Sequence, residues 1–224
     1  NGLGGTSLGR PYLSGSYHRS AESIAFTYGK ASRPADVGVL RNGKVKIITE
    51  LNNDLLNHRK LGNINEIIYK SSFDDQEIQG WYITPPNFDP KKKYPLILEI
   101  HGGPHLAYGP QFSAELQIMA ASGYIVFYNN YRGSTSYGED FALLLQYKYS
   151  SSEDFADHMS GIDALISKGF IDESNLFIAG GSAGGIATAY AIGLTDRFNA
   201  AVAAKPVINW LSKTLTADSM VGQI

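Results

Sequence analysis

The sequence contains no cysteine. That excludes a disulfide framework, a thiolate metal site and a cysteine nucleophile, and it is compatible with either redox compartment. Long apolar runs are missing too: nothing approaches the roughly 18 consecutive apolar residues of a membrane span. Charge is sparse, at 18% of 224 residues, and nearly balanced, with 19 Lys and Arg against 21 Asp and Glu for a net charge of -2. The longest lysine run is Lys91-Lys92-Lys93, so neither nucleic acid nor a membrane is an expected partner. The start at Asn1 carries no initiator methionine and no signal-peptide pattern, and the run from Thr216 to Ile224 closes without a helix or a polar tail. Truncation at both ends is expected.

What is present reads as a packed protein. Hydrophobic residues make up 43%, too many for a disordered tail, and the length allows one large domain or one and a half ordinary ones. Glycine is in excess, with 24 residues, about 11% against an average near 7%. Part of the chain therefore needs unusual backbone angles or close backbone approach.

Residues 1 to about 62 read as all-β. Residues 23–28 form a β-prone run, and residues 37–41 and 44–48 flank Asn42-Gly43, a strong hairpin signal because both residues tolerate positive φ. Two or three strands cannot bury a face alone and need a partner. From about 63 the pattern changes. Residues 64–69 and 77–84 predict a second hairpin, and Pro85, Pro86 and Pro90 mark a loop after it. Strands and helices then alternate. Strands are predicted at 96–101, 124–129, 175–179 and 200–204. One helix carries Phe112, Leu116 and Met119 and stops at Gly123; a second opens on a capping box of Ser151 and Asp154 and stops at Lys168-Gly169; a third covers 184–194. The expected fold class is α/β: a mostly parallel sheet with helices on both faces, preceded by an antiparallel hairpin.

The glycines concentrate at Gly180-Gly181-Ser182-Ala183-Gly184-Gly185, between a predicted strand and a predicted helix. Gly180-x-Ser182-x-Gly184 fits the G-x-S-x-G nucleophile elbow. The turn is so tight that the residues two before and two after the serine cannot carry bulk, and the serine is strained at a helix N-terminus that favours developing negative charge. A plain glycine-rich connection is the simplest alternative. A dinucleotide site is disfavoured because Ala179-x-Gly181-x-x-Gly184 lacks its first glycine and the next strand ends at Lys205, where an acid is wanted. No Gly-Lys-Ser/Thr follows for a P-loop. No motif asks for a metal or a cofactor.

Two further loops should meet this turn. His101-Gly102-Gly103-Pro104 ends one predicted strand, where unobstructed N–H groups can form an oxyanion hole with the N–H of Ala183. Residues 130–138, with Tyr131, Arg132 and Tyr137, follow the next strand and are candidates to line a substrate pocket. For Arg132 a structural ion pair is the competing role, and for the tyrosines it is packing.

With HGGP at 101–104, NYRGSTSYG at 130–138, GGSAGG at 180–185 and AAVAAKPVINW at 200–210, the chain resembles the prolyl oligopeptidase family of serine peptidases, nearest its acylaminoacyl-peptidase and dipeptidyl-peptidase branch. The resemblance implies an α/β-hydrolase catalytic domain preceded by a β-propeller. Residues 1–62 would be the propeller's C-terminal part and 63–224 the hydrolase's N-terminal part. It also implies Ser182 as nucleophile, Ala183 N–H and Gly103 N–H as oxyanion donors, and a short peptide as substrate. Two departures bear on the acyl pocket: Ala183 stands where many members have a larger residue, and Ser136 where glycine is frequent. A carboxylesterase of the same fold and a non-catalytic binding module are the alternatives, and Pro104 and Gly181 tilt the reading to peptidase.

The order of a hydrolase triad is Ser, then Asp or Glu, then His. All five histidines, His18, His58, His101, His105 and His158, precede Ser182, and Asp196 and Asp218 come too early to be the acid. The triad acid and base are therefore expected in a further part of about 100 residues. The chain alone is expected to be inactive, and its strand at 200–204 to be an exposed edge.

Overall fold

The computed structural model describes residues 10–217. Of the closing run, residues 218–224 lie outside the described residues, and Thr216 is the last residue of a helix. Two sheets organise the chain. The first is antiparallel, with strands β1 (Tyr17–Arg19), β2 (Ser23–Lys30), β3 (Arg33–Arg41) and β4 (Lys44–Ile47) in sequence order. The turn between β3 and β4 is the expected one, with Asn42 at φ 49° and Gly43 at φ 71°; two successive positive φ values match the twist of the flanking strands. Residues 1–62 are not wholly β, however. A single helical turn, α1 (Asn53–Leu56), follows the sheet, and its Asn53 Oδ1 accepts from Arg33 Nη1 at 2.5 Å.

The second sheet comprises β5 (Ile64–Lys70), β6 (Glu77–Ile83), β7 (Tyr94–Ile100), β8 (Ile125–Asn130), β9 (Ile171–Gly181) and β10 (Ala200–Ala204), arranged 10-9-7-8-6-5. β10, β9, β7 and β8 run parallel, and β6 and β5 are antiparallel additions at one side. The helices are α2 (Ala114–Ala121), α3 (Glu139–Ala142), α4 (Ser152–Ile166), α5 (Ala183–Ile192) and α6 (Trp210–Thr216). α3 and α6 carry no clear apolar period and are not legible beforehand. Phe112 lies ahead of α2, whose N-cap is Ser113.

Alternation along β8 sets the layers. Ile125 and Phe127 face Met159, Ile162 and Leu165 of α4 together with Ala187 and Ala191 of α5. Val126 and Tyr128 face Leu116 and Ala120 of α2. With both faces covered, β8 is buried at every residue, as a central strand of such a sheet must be. The capping box at the start of α4 forms as expected, with Ser151 N–H on Asp154 Oδ1 at 2.6 Å. β10 ends the sheet; its residues are mostly exposed, Val202 by 63%.

Candidate active site

The carboxyl ends of β7, β8 and β9 lie side by side, and the three loops singled out in the sequence leave from them. After β9 the chain turns at Ser182 and enters α5 one residue later. Ser182 has φ 58° and ψ -119°, a sparsely populated conformation that persists only where the surroundings enforce it. They do so on both sides. A Cβ on Gly180 would collide with the carbonyl of Gly184, and one on Gly184 with the carbonyl of Ile100 on β7. Strand, helix and neighbouring strand therefore touch through bare backbone. The N–H of Ser182 is fixed on Ala204 O of β10 at 2.9 Å, and the serine is left exposed at the apex.

The 101–104 loop lies against this apex: a Cβ on Gly102 would sit 3.2 Å from Ser182 Cβ and 3.0 Å from Gly181 O. Gly103 has φ 119°, and any side chain there would strike His105 N at 2.7 Å, so only glycine serves. Among the described residues neither Gly103 N–H nor Ala183 N–H has an acceptor. Two unengaged donors thus border one exposed hydroxyl, with the N-terminus of α5 beneath them.

His101 does not reach outward. It is fully buried, with Nδ1 2.7 Å from Gly102 O and Nε2 2.9 Å from Ser134 Oγ, and its ring stacks on Tyr131 at 4.5 Å. Burial pulls its pKa down to about 4, against a smaller upward pull from Gly102 O. His158, on α4, is also buried, its ring 4.8 Å from that of Tyr131, and burial, with His101 adding to it, holds its pKa at about 3. Both rings are neutral packing elements near neutral pH.

The pocket expectation for Tyr131 and Arg132 is corrected by their burial. Tyr131 is enclosed, and its hydroxyl donates to His101 O at 3.1 Å. The Arg132 guanidinium is also enclosed, and its donors are engaged: Nε and Nη2 on Asp157 (3.0 and 2.9 Å), Nη2 and Nη1 on Asp74 (2.8 and 3.2 Å), and Nη1 on Glu153 (3.1 Å). It joins the β5–β6 hairpin, the β8 loop and α4. Tyr137 differs: it is 38% exposed and borders a cleft of about 370 Å³ with Gln76, Glu77, Asp140, Phe141 and Leu144. Asp196 precedes β10, so it sits at the edge of the sheet opposite Ser182. No group of acidic or histidine side chains able to hold a metal occurs among the described residues, and none of the helices there is long and apolar enough to cross a membrane.

Sequence reasoning missed two tyrosines. The Tyr149 hydroxyl donates to Ala183 O at 2.5 Å, and Tyr12 contacts the 101–104 loop as described below. Neither lies in a motif.

The Prolyl oligopeptidase family (Peptidase_S9) profile matches residues 110–223. The uncharacterized peptidase YuxL of Bacillus subtilis (strain 168) is 36% identical over 185 residues, covering 82% of this chain and 28% of its own length. Acylamino-acid-releasing enzyme 1 of Oryza sativa subsp. japonica is 40% identical over 125 residues, 55% of this chain and 16% of its own. Among solved structures, an acylaminoacyl peptidase in complex with Z-Gly-Gly-Phe-chloromethyl ketone superposes with a TM-score of 0.85 at 31% identity over 94% of this chain and 33% of the other. The chain spans a third or less of the length of these relatives.

Proposed function

The chain belongs to the prolyl oligopeptidase family, and from that premise we propose that it forms part of a serine-type peptidase that cleaves short peptides through an acyl-enzyme on Ser182. Residues 1–62 are then the end of a β-propeller and 63–224 the first part of the α/β-hydrolase domain. The observation that carries the reading is the conformation of Ser182, held at positive φ by glycine contacts on both sides with its hydroxyl exposed. Strain of this kind is maintained at functional sites.

In the proposed reaction Ser182 Oγ adds to the scissile carbonyl and the oxyanion lies between the N–H groups of Ala183 and Gly103. The C–N bond then breaks, the amine leaves with the serine proton, and water hydrolyses the ester. Proton transfer needs a histidine, and none follows Ser182. His101 and His158 are buried and packed elsewhere. We therefore assign the triad acid and base to residues beyond these 224, and expect this chain alone to be inactive. The exposed β10 edge supports that assignment, since further strands would cover it. Of the three pocket candidates, Tyr137 alone has an exposed face.

The test is fluorophosphonate labelling of the full-length protein. Labelling lost in Ser182→Ala is expected, and labelling that survives it removes Ser182 as nucleophile. Comparing peptide p-nitroanilides with simple esters then separates a peptidase from a carboxylesterase; turnover of esters alone overturns the peptidase reading.

A further inference from the structure

Ahead of the antiparallel sheet, residues 10–13 pair with the loop that follows β7. Leu13 N–H bonds Ala107 O at 2.9 Å and Gly109 N–H bonds Pro11 O at 3.0 Å, framing an antiparallel bridge between Tyr12 and Tyr108. Arg10 is ion-paired with Glu99, which is fully buried on β7 two residues before His101, and its Nε lies 3.2 Å from Glu115 of α2. A buried carboxylate with a cationic partner is costly to separate, so this segment is committed to its place.

The pinned segment delivers one polar atom to the site. Tyr12 Oη accepts the N–H of Gly102 at 3.1 Å, while its ring packs on Tyr108 at 4.8 Å and meets His101 edge-on at 6.4 Å. Gly102 is the residue whose Cα lies against Ser182, and the next peptide unit carries Gly103 N–H. The peptide unit that carries Gly103 N–H has its own contact, His101 Nδ1 at 2.7 Å from Gly102 O, and the loop's next backbone hydrogen bond is Leu106 N–H to Pro104 O. The peptide immediately before the Gly103 donor is thus held from both sides, by the Tyr12 hydroxyl on Gly102 N–H and by the Tyr131 hydroxyl on His101 O. Without the Tyr12 contact that peptide would be held from its carbonyl side alone, and a tilt about that hold would re-aim the donor that follows.

We propose that Tyr12 is a positioning residue for the oxyanion donor Gly103, supplied by the segment that precedes the antiparallel sheet; the assignment rests on the serine-peptidase reading above. Tyr12 lies five residues before β1, so the same contact couples the orientation of the antiparallel unit to the geometry of the catalytic loop.

The experiment compares wild type, Tyr12→Phe and Ser182→Ala in the full-length protein, with rates referred to the fraction of sites titrated by a fluorophosphonate. Tyr12→Phe keeps the ring and removes the hydroxyl. The expected result is a fall of about tenfold in kcat on a peptide p-nitroanilide, KM within about twofold, and an equal loss of affinity for a peptide trifluoromethyl ketone, which binds serine as a tetrahedral oxyanion. A packing role alone would lower the titrated fraction or the melting temperature and leave kcat per titrated site and ketone affinity unchanged; that outcome overturns the proposal. If Ser182→Ala retains activity, the serine-peptidase reading itself fails, whatever Tyr12→Phe does.

Discussion

The turn at Ser182 and the loop at residues 101–104 sit side by side on neighbouring strands, yet they hold their shapes by different means. The serine turn is made locally: Gly180 and Gly184 let β9, α5 and Ile100 touch through backbone, and β10 anchors the Ser182 N–H. The 101–104 loop borrows its shape. Tyr12 reaches it from 90 residues upstream, and Tyr131 and Ser134 support His101 from 30 and 33 residues downstream. A locally made element should fail by steric collision at one residue, whereas a borrowed one should fail when a distant anchor is cut. The difference also decides which of the two a sequence can reveal.

The largest effect should come from cutting the anchor of the borrowed loop. Arg132 holds the segment that carries Tyr131 and Ser134, and in Arg132→Met the carboxylates of Asp157 and Asp74 lose their ion-pair partner while Glu153 keeps Lys148. Asp157 is fully buried, so removing one partner should cost about 3–5 kcal/mol, read by urea unfolding of the full-length protein. A cost under about 1 kcal/mol would show that the loop is held independently of this hub. The complementary break is Gly184→Ala. Its methyl group meets the Ile100 carbonyl, a backbone atom that cannot rotate away, and an overpacking cost of about 3 kcal/mol is expected. Hydrolysis should be lost in the fraction that still folds, because the strand–helix spacing sets the serine's angle. Activity near wild type in Gly184→Ala would remove the local account of the turn.

The same contrast governs what could be read beforehand. The Gly-x-Ser-x-Gly spacing states its own geometry, the Asn42-Gly43 hairpin and the Ser151/Asp154 capping box are equally local, and β10 falls at residues 200–204 as expected. Arg132 was open to a pocket role because its counter-charges lie 58, 21 and 25 residues away, at Asp74, Glu153 and Asp157, and no spacing rule connects them. Tyr12 and Tyr149 escaped for the same reason. They act through one hydroxyl at long separation, and tyrosine is common enough in this chain to hide them. β9 begins at Ile171, four residues before the expected start, because Ile171 pairs with Tyr94 across a register shift that an apolar-run reading passes over.

Protonation probes the borrowed support from within. His158 is neutral in the fold, its pKa held at about 3 by burial, while an unfolded chain would protonate it near 6.5. As pH falls below about 6.5 the unfolded state takes up the proton first, so this residue's contribution to stability is complete at neutral pH and is lost progressively down to about pH 3. Between pH 7 and pH 5 wild type should lose roughly 2 kcal/mol more than His158→Gln, which has no such group. Parallel pH profiles of the two proteins would show that the buried ring does not titrate on unfolding as argued.

The smallest effect concerns Ser136, in the loop that leaves β8. Its φ is 81°, a backbone region that a side chain enters only at a cost. Gly138, two residues on, has φ 95° and meets nothing that a side chain would strike, whereas a Cβ on Gly133 would sit 3.1 Å from Leu145, so this end of the loop is shaped by torsion and not by crowding. Ser136→Gly should therefore relieve strain without creating a cavity. It also loosens the unfolded chain, which offsets part of the gain. A net stabilisation of up to about 1 kcal/mol is expected, with kcat unchanged because the 101–104 loop is supported through Tyr131 and Ser134 on the near side of the strained residue. A destabilised Ser136→Gly would mean that the serine side chain holds the loop in place, and a faster or slower enzyme would place residue 136 in contact with the reacting peptide.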